Sequence, residues 1–184
     1  MLDPVAPLPS FSRQNSTMRI QIRGRFDASR ERLWRAITDS ADLPQWLAPG
    51  TIGLEVGGRA QLDFAESGIA IDSIVTAVEP GHILEYGWNG PGESVRPLRW
   101  AITPVDDDVE LTLTLEQPAH EDAARAAAGW TAHLEMLAAV LADVPIRFPF
   151  AVFKAARAAY SEPVAAAMAG QDAPRISQSQ VSHA

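Results

Sequence analysis

The chain has 184 residues, of which 47% are hydrophobic and 21% are charged, a composition that suits one domain with a sizeable core. It contains no cysteine, which excludes disulfides, a thiolate nucleophile, iron–sulfur clusters and cysteine-ligated zinc. The formal net charge of −8 at pH 7 argues against nucleic acid as the main partner, because nucleic-acid binding depends on a basic surface.

The first part of the chain is expected to combine a tail with one strand and two short helices. Residues 1–16 carry Pro, Ser and Asn without any period, so we expect a flexible tail there. Residues 18–26 alternate between apolar and polar side chains, which predicts a strand with one buried face. Ser29 is a candidate helix N-cap, and the residues after it predict a short amphipathic helix. A second short helix is expected over residues 40–47.

The middle of the chain indicates a series of strands joined by tight turns. Turn sequences such as Gly57-Gly58 and the three aspartates at 106–108 separate short apolar runs. Strands joined so closely run antiparallel, because a parallel crossover needs a longer connection. Together with the strand at 18–26, we expect six to seven strands in one antiparallel sheet.

A long amphipathic helix is expected over residues 120–142. Trp130, Leu134 and Leu137 recur at the spacing that places side chains on one helical stripe. This is the only predicted element long enough to cover the buried face of the sheet. The order of elements therefore predicts an α+β fold, in which a curved antiparallel sheet wraps around a long C-terminal helix and two short helices follow the first strand.

The end of the chain is expected to form a helical extension over residues 144–170, followed by a flexible tail over 171–184. Within the extension we expect a helix at about 150–160, and Pro163 interrupts any continuation. The predicted helix carries aromatic and basic residues, a combination that binds partners or membrane surfaces. Its short length and modest charge favour an intramolecular contact or a homodimer.

An internal cavity is the most informative expectation for function. A wide curved sheet covered by a single helix often leaves a space between the two, and tryptophan suits the wall of a partly wet pocket. We therefore expect a cavity that holds a small apolar or aromatic ligand. The residues expected to line it are Trp46, Phe64, Trp88, Trp100, Trp130, His133, Leu134 and Leu137. The alternative is that these side chains simply fill the core.

The polar residues offer no strong sign of catalysis. The histidines have no partner at metal-ligand spacing, and we expect no catalytic residue, no metal and no cofactor. His133 borders the inward stripe of the long helix and is a candidate proton donor or acceptor for a ligand. The alternative is a half-exposed helix histidine with no partner. Arg96 would fix a ligand carboxylate if it pointed inward, whereas Arg99 is expected to point away from the cavity.

Two features argue against a membrane location. No apolar stretch reaches the ~20 residues that span a bilayer, and the start of the chain lacks the basic patch and apolar run of a signal peptide. We therefore expect a cytoplasmic protein without a membrane span.

Five segments, in this order, resemble the START-like (SRPBCC, Bet v I-like) superfamily. They are residues 29–39 (SRERLWRAITD) with 46–50 (WLAPG), 56–59 (VGGR), 78–81 (VEPG), 84–88 (LEYGW), and Gly129-Trp130 with Leu134 and Leu137. Within that superfamily the sequence is most similar to the family named for the activator of heat-shock-chaperone ATPase, the Aha-type C-terminal domain. The resemblance covers about residues 18–143.

The resemblance implies a helix-grip domain, which we place at residues 17–143, with a cavity between the sheet and the long helix. It also implies a range of functions, because ligand carriers, lipid-transfer domains, polyketide cyclases and co-chaperone domains share this fold. We expect a small-molecule binding protein. The alternatives are an enzyme that uses the cavity, such as a cyclase, dehydratase or hydrolase, and a co-chaperone-like module with a chaperone as partner.

Overall fold

Eight strands and three α-helices are present in the computed structural model, which describes residues 8–65 and 67–170. The strands are β1 (Leu8–Gln14), β2 (Thr17–Phe26), β3 (Gly50–Ile52), β4 (Arg59–Phe64), β5 (Ile69–Glu79), β6 (Ile83–Gly87), β7 (Pro97–Val105) and β8 (Asp108–Pro118). The helices are α1 (Arg30–Thr38), α2 (Ala123–Leu141) and α3 (Phe150–Ala169), and a 3-10 turn covers Leu43–Gln45. The parts of the predicted tails at 1–7 and 171–184 lie outside the described residues.

All the strands belong to one curved, unclosed antiparallel sheet, in the order β1-β2-β8-β7-β6-β5-β4-β3. The predicted α+β class, with a sheet around a long C-terminal helix, is confirmed. The described residues contain one strand more than the six to seven expected. The turn predicted at Gly57-Gly58 lies between β3, which ends at Ile52, and β4, which begins at Arg59.

Strand β1 corrects the expectation of a flexible tail over residues 1–16. It pairs with β2 along its whole length, from Leu8 opposite Arg23 to Gln14 opposite Thr17. Asn15 has φ of 55° in the connecting turn, a conformation that asparagine tolerates better than most residues. The pairing gives β2 a neighbour on each side, since β8 lies on its other edge.

The concave face of the sheet carries the core. In β2 the fully buried side chains Met18, Ile20 and Ile22 alternate with exposed or half-buried polar residues, as the sequence pattern predicts. Opposite them, β8 contributes Leu113 and Leu115 to the same cluster. The first of the two expected short helices is α1, capped by Ser29, whose Oγ accepts a hydrogen bond from the Arg32 N–H at 3.1 Å. The second is only the 3-10 turn.

Helix α2 covers the concave face. Asp122 caps it, because its Oδ1 accepts a hydrogen bond from the Arg125 N–H at 2.8 Å, so the helix begins three residues after the expected start at His120. Trp130, Leu134 and Leu137 are buried on its inner side, as their spacing predicts. Their burial against the sheet stabilises the helix more than its alanine content alone, since helix propensity is a weak term.

Helix α3 packs within its own chain against α2 and β1. It continues through Pro163 to Ala169, so the expected interruption is wrong. The reason is tertiary packing, because Tyr160, Val164 and Met168 contact the core on both sides of the proline. A homodimer through residues 144–170 stays a prediction, which light scattering of the purified chain tests. None of the helices within the described ranges combines the length and hydropathy that a bilayer crossing requires.

Candidate functional site

A continuous row of aromatic rings lies between the concave face of the sheet and α2. At its deep end, Trp46 and Trp100 meet edge to face, with ring centroids 5.9 Å apart. Both rings are fully buried, and both indole N–H groups have partners. The Trp46 indole donates to the Ala36 carbonyl at 2.8 Å, and the Trp100 indole donates to the Tyr86 hydroxyl at 3.4 Å. Because both rings are buried and both indole N–H groups have partners, this end belongs to the structural core.

The row of rings continues to an end that is mostly half-buried. We call it the outer aromatic end and define it as Phe64, Trp88, Trp130, His133 and Phe148. Trp130 joins it to the deep end, since its ring lies 5.4 Å from that of Trp100 and 4.8 Å from that of Trp88. Phe64 lies 5.7 Å from Trp88 and 6.4 Å from His133. Four of the five side chains are partly exposed, and only Trp130 is buried.

His133 is the polar member of the outer aromatic end. Its Nδ1 lies 2.9 Å from the carbonyl oxygen of Trp46, and a carbonyl only accepts, so Nδ1 carries the proton and donates. Burial lowers the pKa of His133 below its ordinary value, although the hydrogen bond to Trp46 opposes this shift. The ring is therefore neutral near pH 7, which leaves Nε2 as a hydrogen-bond acceptor. The alternative of a histidine without a partner is wrong.

The structure brings the expected ligand-lining residues together, but it divides them by depth. Trp46, Trp100, Leu134 and Leu137 are almost completely buried in the core. Phe64, Trp88, Trp130 and His133 belong to the outer aromatic end. The division follows from position along the elements, because the second group lies at the ends of β4 and β6 and on one side of α2. Binding of a ligand by any of the eight stays a prediction.

Phe148 belongs to the outer aromatic end but is not among the eight residues that the sequence predicts to line a cavity. It precedes α3, and its ring contacts His133 at 5.4 Å, Phe150 at 5.0 Å and Phe153 at 6.0 Å. The only sign of this contact in the sequence was the group of aromatic residues in the segment. What the sequence alone could not supply was the direction of the segment after α2, which brings Phe148 back onto His133.

The expected internal cavity is not seen as an open space among the described residues. The rings of the cluster occupy this region, with centroids 4.8 to 6.4 Å apart. Two surface pockets, of about 720 and 450 Å³, are found elsewhere, and none of the eight expected residues lines either of them. The smaller one lies beside α1, and the larger one lies at the end of the sheet near the β1–β2 turn.

The charged residues form surface pairs outside the aromatic cluster. Arg99 points away from it and pairs with Glu85 at 3.0 Å, as expected. Arg96 pairs with Glu121 at 2.7 Å, so its charge is already balanced. Within the described ranges, no group of three or more His, Asp or Glu side chains is arranged to hold a metal ion.

Solved structures share this fold over most of the chain. CalU16 from Micromonospora echinospora is 20% identical with a TM-score of 0.73, covering 86% of this chain and 98% of that one. EF2215 from Enterococcus faecalis, described as a conserved protein of unknown function, is 19% identical with a TM-score of 0.70, covering 86% and 91%. The protein encoded by BPP1335 from Bordetella parapertussis is 23% identical with a TM-score of 0.64, covering 88% and 95%. At these identities the likeness shows the fold alone.

A family model also matches the chain directly. The match covers residues 27–142, from the end of β2 to the end of α2, and so includes the sheet from β3 to β8 and the helix that covers it. No match was found among curated proteins. The matched residues make up more than half of the chain and carry the ring cluster except Phe148. The chain therefore belongs to the family of Activator of Hsp90 ATPase homolog 1-like proteins.

Proposed function

We propose that the protein binds a small aromatic molecule at the outer aromatic end, between the concave face of the sheet and α2. The observation that supports the proposal is the contact of two large apolar rings, Trp88 and Trp130, with the polar ring of His133. Trp88 and His133 are half-buried, and Trp130 is buried. Binding sites for small molecules commonly combine apolar walls with a few polar groups that fix orientation.

The outer end is favoured over the deep end because its polar groups are still available. Within the described part of the chain, no hydrogen bond of the Trp88 or Trp130 indole N–H is seen, whereas the indoles of Trp46 and Trp100 both have partners. Trp88 and His133 are also partly exposed, so a ligand reaches these two rings without opening the core, whereas Trp130 is buried. Trp46, Trp100, Leu134 and Leu137 then support the site from below.

The tautomer of His133 favours a ligand with a hydroxyl group. Since Nδ1 donates to the Trp46 carbonyl, the neutral ring offers a lone pair at Nε2. A phenolic O–H is a suitable donor to it, and the aromatic body of the same ligand would pack on Trp88 and Trp130. The proposed ligand class is therefore a hydroxylated aromatic compound of low net charge.

Phe148 occupies the place where such a ligand would lie against His133. It belongs to the irregular segment between α2 and α3, where Val144 and Ile146 are exposed. A segment with few buried side chains moves at little cost in free energy. We infer that displacement of Phe148 admits the ligand.

Calorimetric titration with 2-naphthol tests the proposal. We expect 2-naphthol to bind about five-fold more tightly than naphthalene, because one neutral hydrogen bond contributes about that difference in affinity. Phe148→Ala should increase the affinity for 2-naphthol about ten-fold, because it removes the side chain that the ligand must displace. The control is Val56→Ala, which also shortens an apolar side chain but at a 69% exposed position outside the aromatic cluster.

The outcome that contradicts the proposal is equal, weak binding of both compounds to the protein and to Phe148→Ala. A second variant isolates the polar contact. His133→Phe should abolish the preference for 2-naphthol over naphthalene and retain naphthalene binding. If the preference survives this change, His133 does not accept the hydroxyl proton.

The two other function classes have less support. A cavity enzyme needs a positioned acid or base, and no carboxylate hydrogen-bonds His133 in the described part of the chain. The co-chaperone alternative is supported by family membership alone, and fold families host many functions. Stimulation of the ATPase activity of a purified Hsp90-type chaperone would favour that alternative over ligand binding.

A further inference from the structure

The position of Phe148 against His133 is set from the side of α3. Residues 142–147, which follow α2, are all exposed, so they provide little packing that would hold the Phe148 ring in place. The Phe148 carbonyl instead accepts a hydrogen bond from the Phe150 N–H at 3.0 Å, and the Phe148 ring contacts the rings of Phe150 and Phe153. The place of Phe148 in the cluster therefore depends on where α3 lies.

Tyr160, near the middle of α3, attaches this helix to two other elements. Thr131 on α2 donates its hydroxyl proton to the Ala127 carbonyl at 2.9 Å, because a carbonyl only accepts. The Tyr160 hydroxyl is therefore the donor in its hydrogen bond of 3.0 Å with Thr131. The Tyr160 ring lies 6.1 Å from the ring of Phe11 on β1. One side chain thus connects α3 to the helix that covers the core and to the edge of the sheet.

The other attachments of α3 are weak. Of its 20 residues, all of which the structure describes, only Ala156 is buried. Arg157 pairs with Asp122 at 2.6 Å, but both side chains are about half exposed, and exposed ion pairs contribute little to stability. Near the end of the helix, Arg13 Nη1 donates to the Met168 carbonyl at 3.3 Å. An element with so few buried side chains opens locally at a lower free energy than the whole domain.

We propose that α3 is a latch on the outer aromatic end: Tyr160 holds α3 against α2 and β1, Phe148 then lies on His133, and detachment of α3 removes Phe148 and opens the site. The inference rests on the proposed function for its ligand, whereas the movement of Phe148 is a property of the chain alone. A ligand that binds only the open state has an apparent affinity proportional to the open fraction. A change that weakens the attachment of α3 therefore increases the affinity, although Tyr160 lies outside the outer aromatic end.

Tyr160→Phe in the full chain tests the latch, because it removes the hydroxyl group and keeps the ring against Phe11. The loss of one neutral hydrogen bond should increase the ratio of open to closed molecules about five-fold. Ser161→Ala is the matched control, since it removes a hydroxyl group from an exposed neighbour whose hydrogen bond lies within α3 itself. The control should behave as the unmodified chain.

The reaction of His133 with diethyl pyrocarbonate measures the open fraction without any ligand, since this reagent acylates accessible, neutral imidazole nitrogens. Peptide mass spectrometry gives the rate at His133 relative to the exposed His120. In Tyr160→Phe this relative rate should rise about two- to five-fold, the lower value applying if the half-buried ring also reacts in the closed state. An unchanged rate would overturn the proposal.

Calorimetric titration with 2-naphthol shows whether Tyr160 acts through Phe148. Tyr160→Phe should bind 2-naphthol about three- to five-fold more tightly than the unmodified chain. In a Phe148→Ala background the ring that α3 holds is absent, so the same substitution should add nothing. An equal gain in both backgrounds would overturn the proposal, because the hydroxyl group would then act by another route.

The two measurements separate the latch from the proposed function. Faster acylation of His133 in Tyr160→Phe, without 2-naphthol binding by any variant, would support the latch and contradict the proposed function. Binding of 2-naphthol with the same affinity and the same His133 reactivity in Tyr160→Phe as in the unmodified chain would support the proposed function and overturn the latch. Faster amide hydrogen exchange in α2 as well as in α3 would also overturn it, since the whole domain would then be loosened.

Discussion

At the scale of single residues, His133 links the stability of the domain to its proposed site. Its ring is packed among Phe64, Trp130 and Phe148, and its proton is committed to the Trp46 carbonyl. Protonation of Nε2 places a charge in this apolar setting, which is unfavourable in the folded chain and harmless in the unfolded one. In the site that we propose, Nε2 of His133 accepts a hydrogen bond from the ligand only while the ring is neutral.

The pH dependence of stability checks this account of His133. Because burial lowers its pKa in the folded state, the unfolded state binds the proton more readily. The free energy of unfolding should fall as the pH drops below about 6.5, the ordinary pKa of histidine, and should be fully recovered above it. His133→Gln should remove this part of the dependence in urea unfolding curves, whereas His120→Gln, at an exposed position, should not. Identical pH profiles for the unmodified chain and His133→Gln would contradict the account.

At the scale of elements, β1 and α3 form an addition to the family domain. Both lie outside the matched residues 27–142, and they pack against each other. The Phe11 and Tyr160 rings lie 6.1 Å apart, and Arg13 Nη1 donates to the Met168 carbonyl at 3.3 Å. Tyr160 also shares a hydrogen bond of 3.0 Å with Thr131 on α2. The addition therefore ties the last helix to the sheet edge and to the helix that covers the core.

Removing the Phe11 ring should loosen α3 selectively. Phe11→Ala deletes a half-buried side chain, for which we expect a loss of about 1–2 kcal/mol, less than for a fully buried phenylalanine. Amide hydrogen exchange should become faster in Phe150–Ala169 and stay unchanged in α2. Ser12→Ala, an exposed change on the same strand, is the control. Uniform acceleration in both helices would show that α3 does not open separately.

At the scale of the whole molecule, local sequence patterns predicted the helices and strands better than they predicted which elements pack against one another. The alternation in β2 and the stripe of Trp130, Leu134 and Leu137 each follow from a period that burial imposes on one element. Strand β1 has no such apolar period, because its stability comes from pairing with β2, and the sequence alone therefore predicted a flexible tail there. The path through Pro163 depends likewise on packing that the local sequence does not contain.

In the candidate site, too, some features follow from local sequence patterns and others depend on how the elements pack. Trp100, Trp130 and His133 could be assigned to the region between the sheet and the long helix because they belong to β7 and α2, elements with clear periods. Their separation into a buried end and an outer end was not, since it depends on how far α2 overlaps the sheet. Phe148 joins the cluster through the turn after Leu141, where Asp143 has φ of 59° and the chain reverses direction. Such reversals are set by tertiary contacts rather than by composition.

The most direct test of the central claim is an intermolecular NOE measurement on the labelled full chain saturated with 2-naphthol. We expect contacts from the naphthol ring to the indoles of Trp88 and Trp130 and to the imidazole of His133. Contacts confined to residues outside the aromatic cluster, such as Trp34 on α1, would contradict the claim that an aromatic guest is held between the sheet and α2, and so would the lack of any saturable contact.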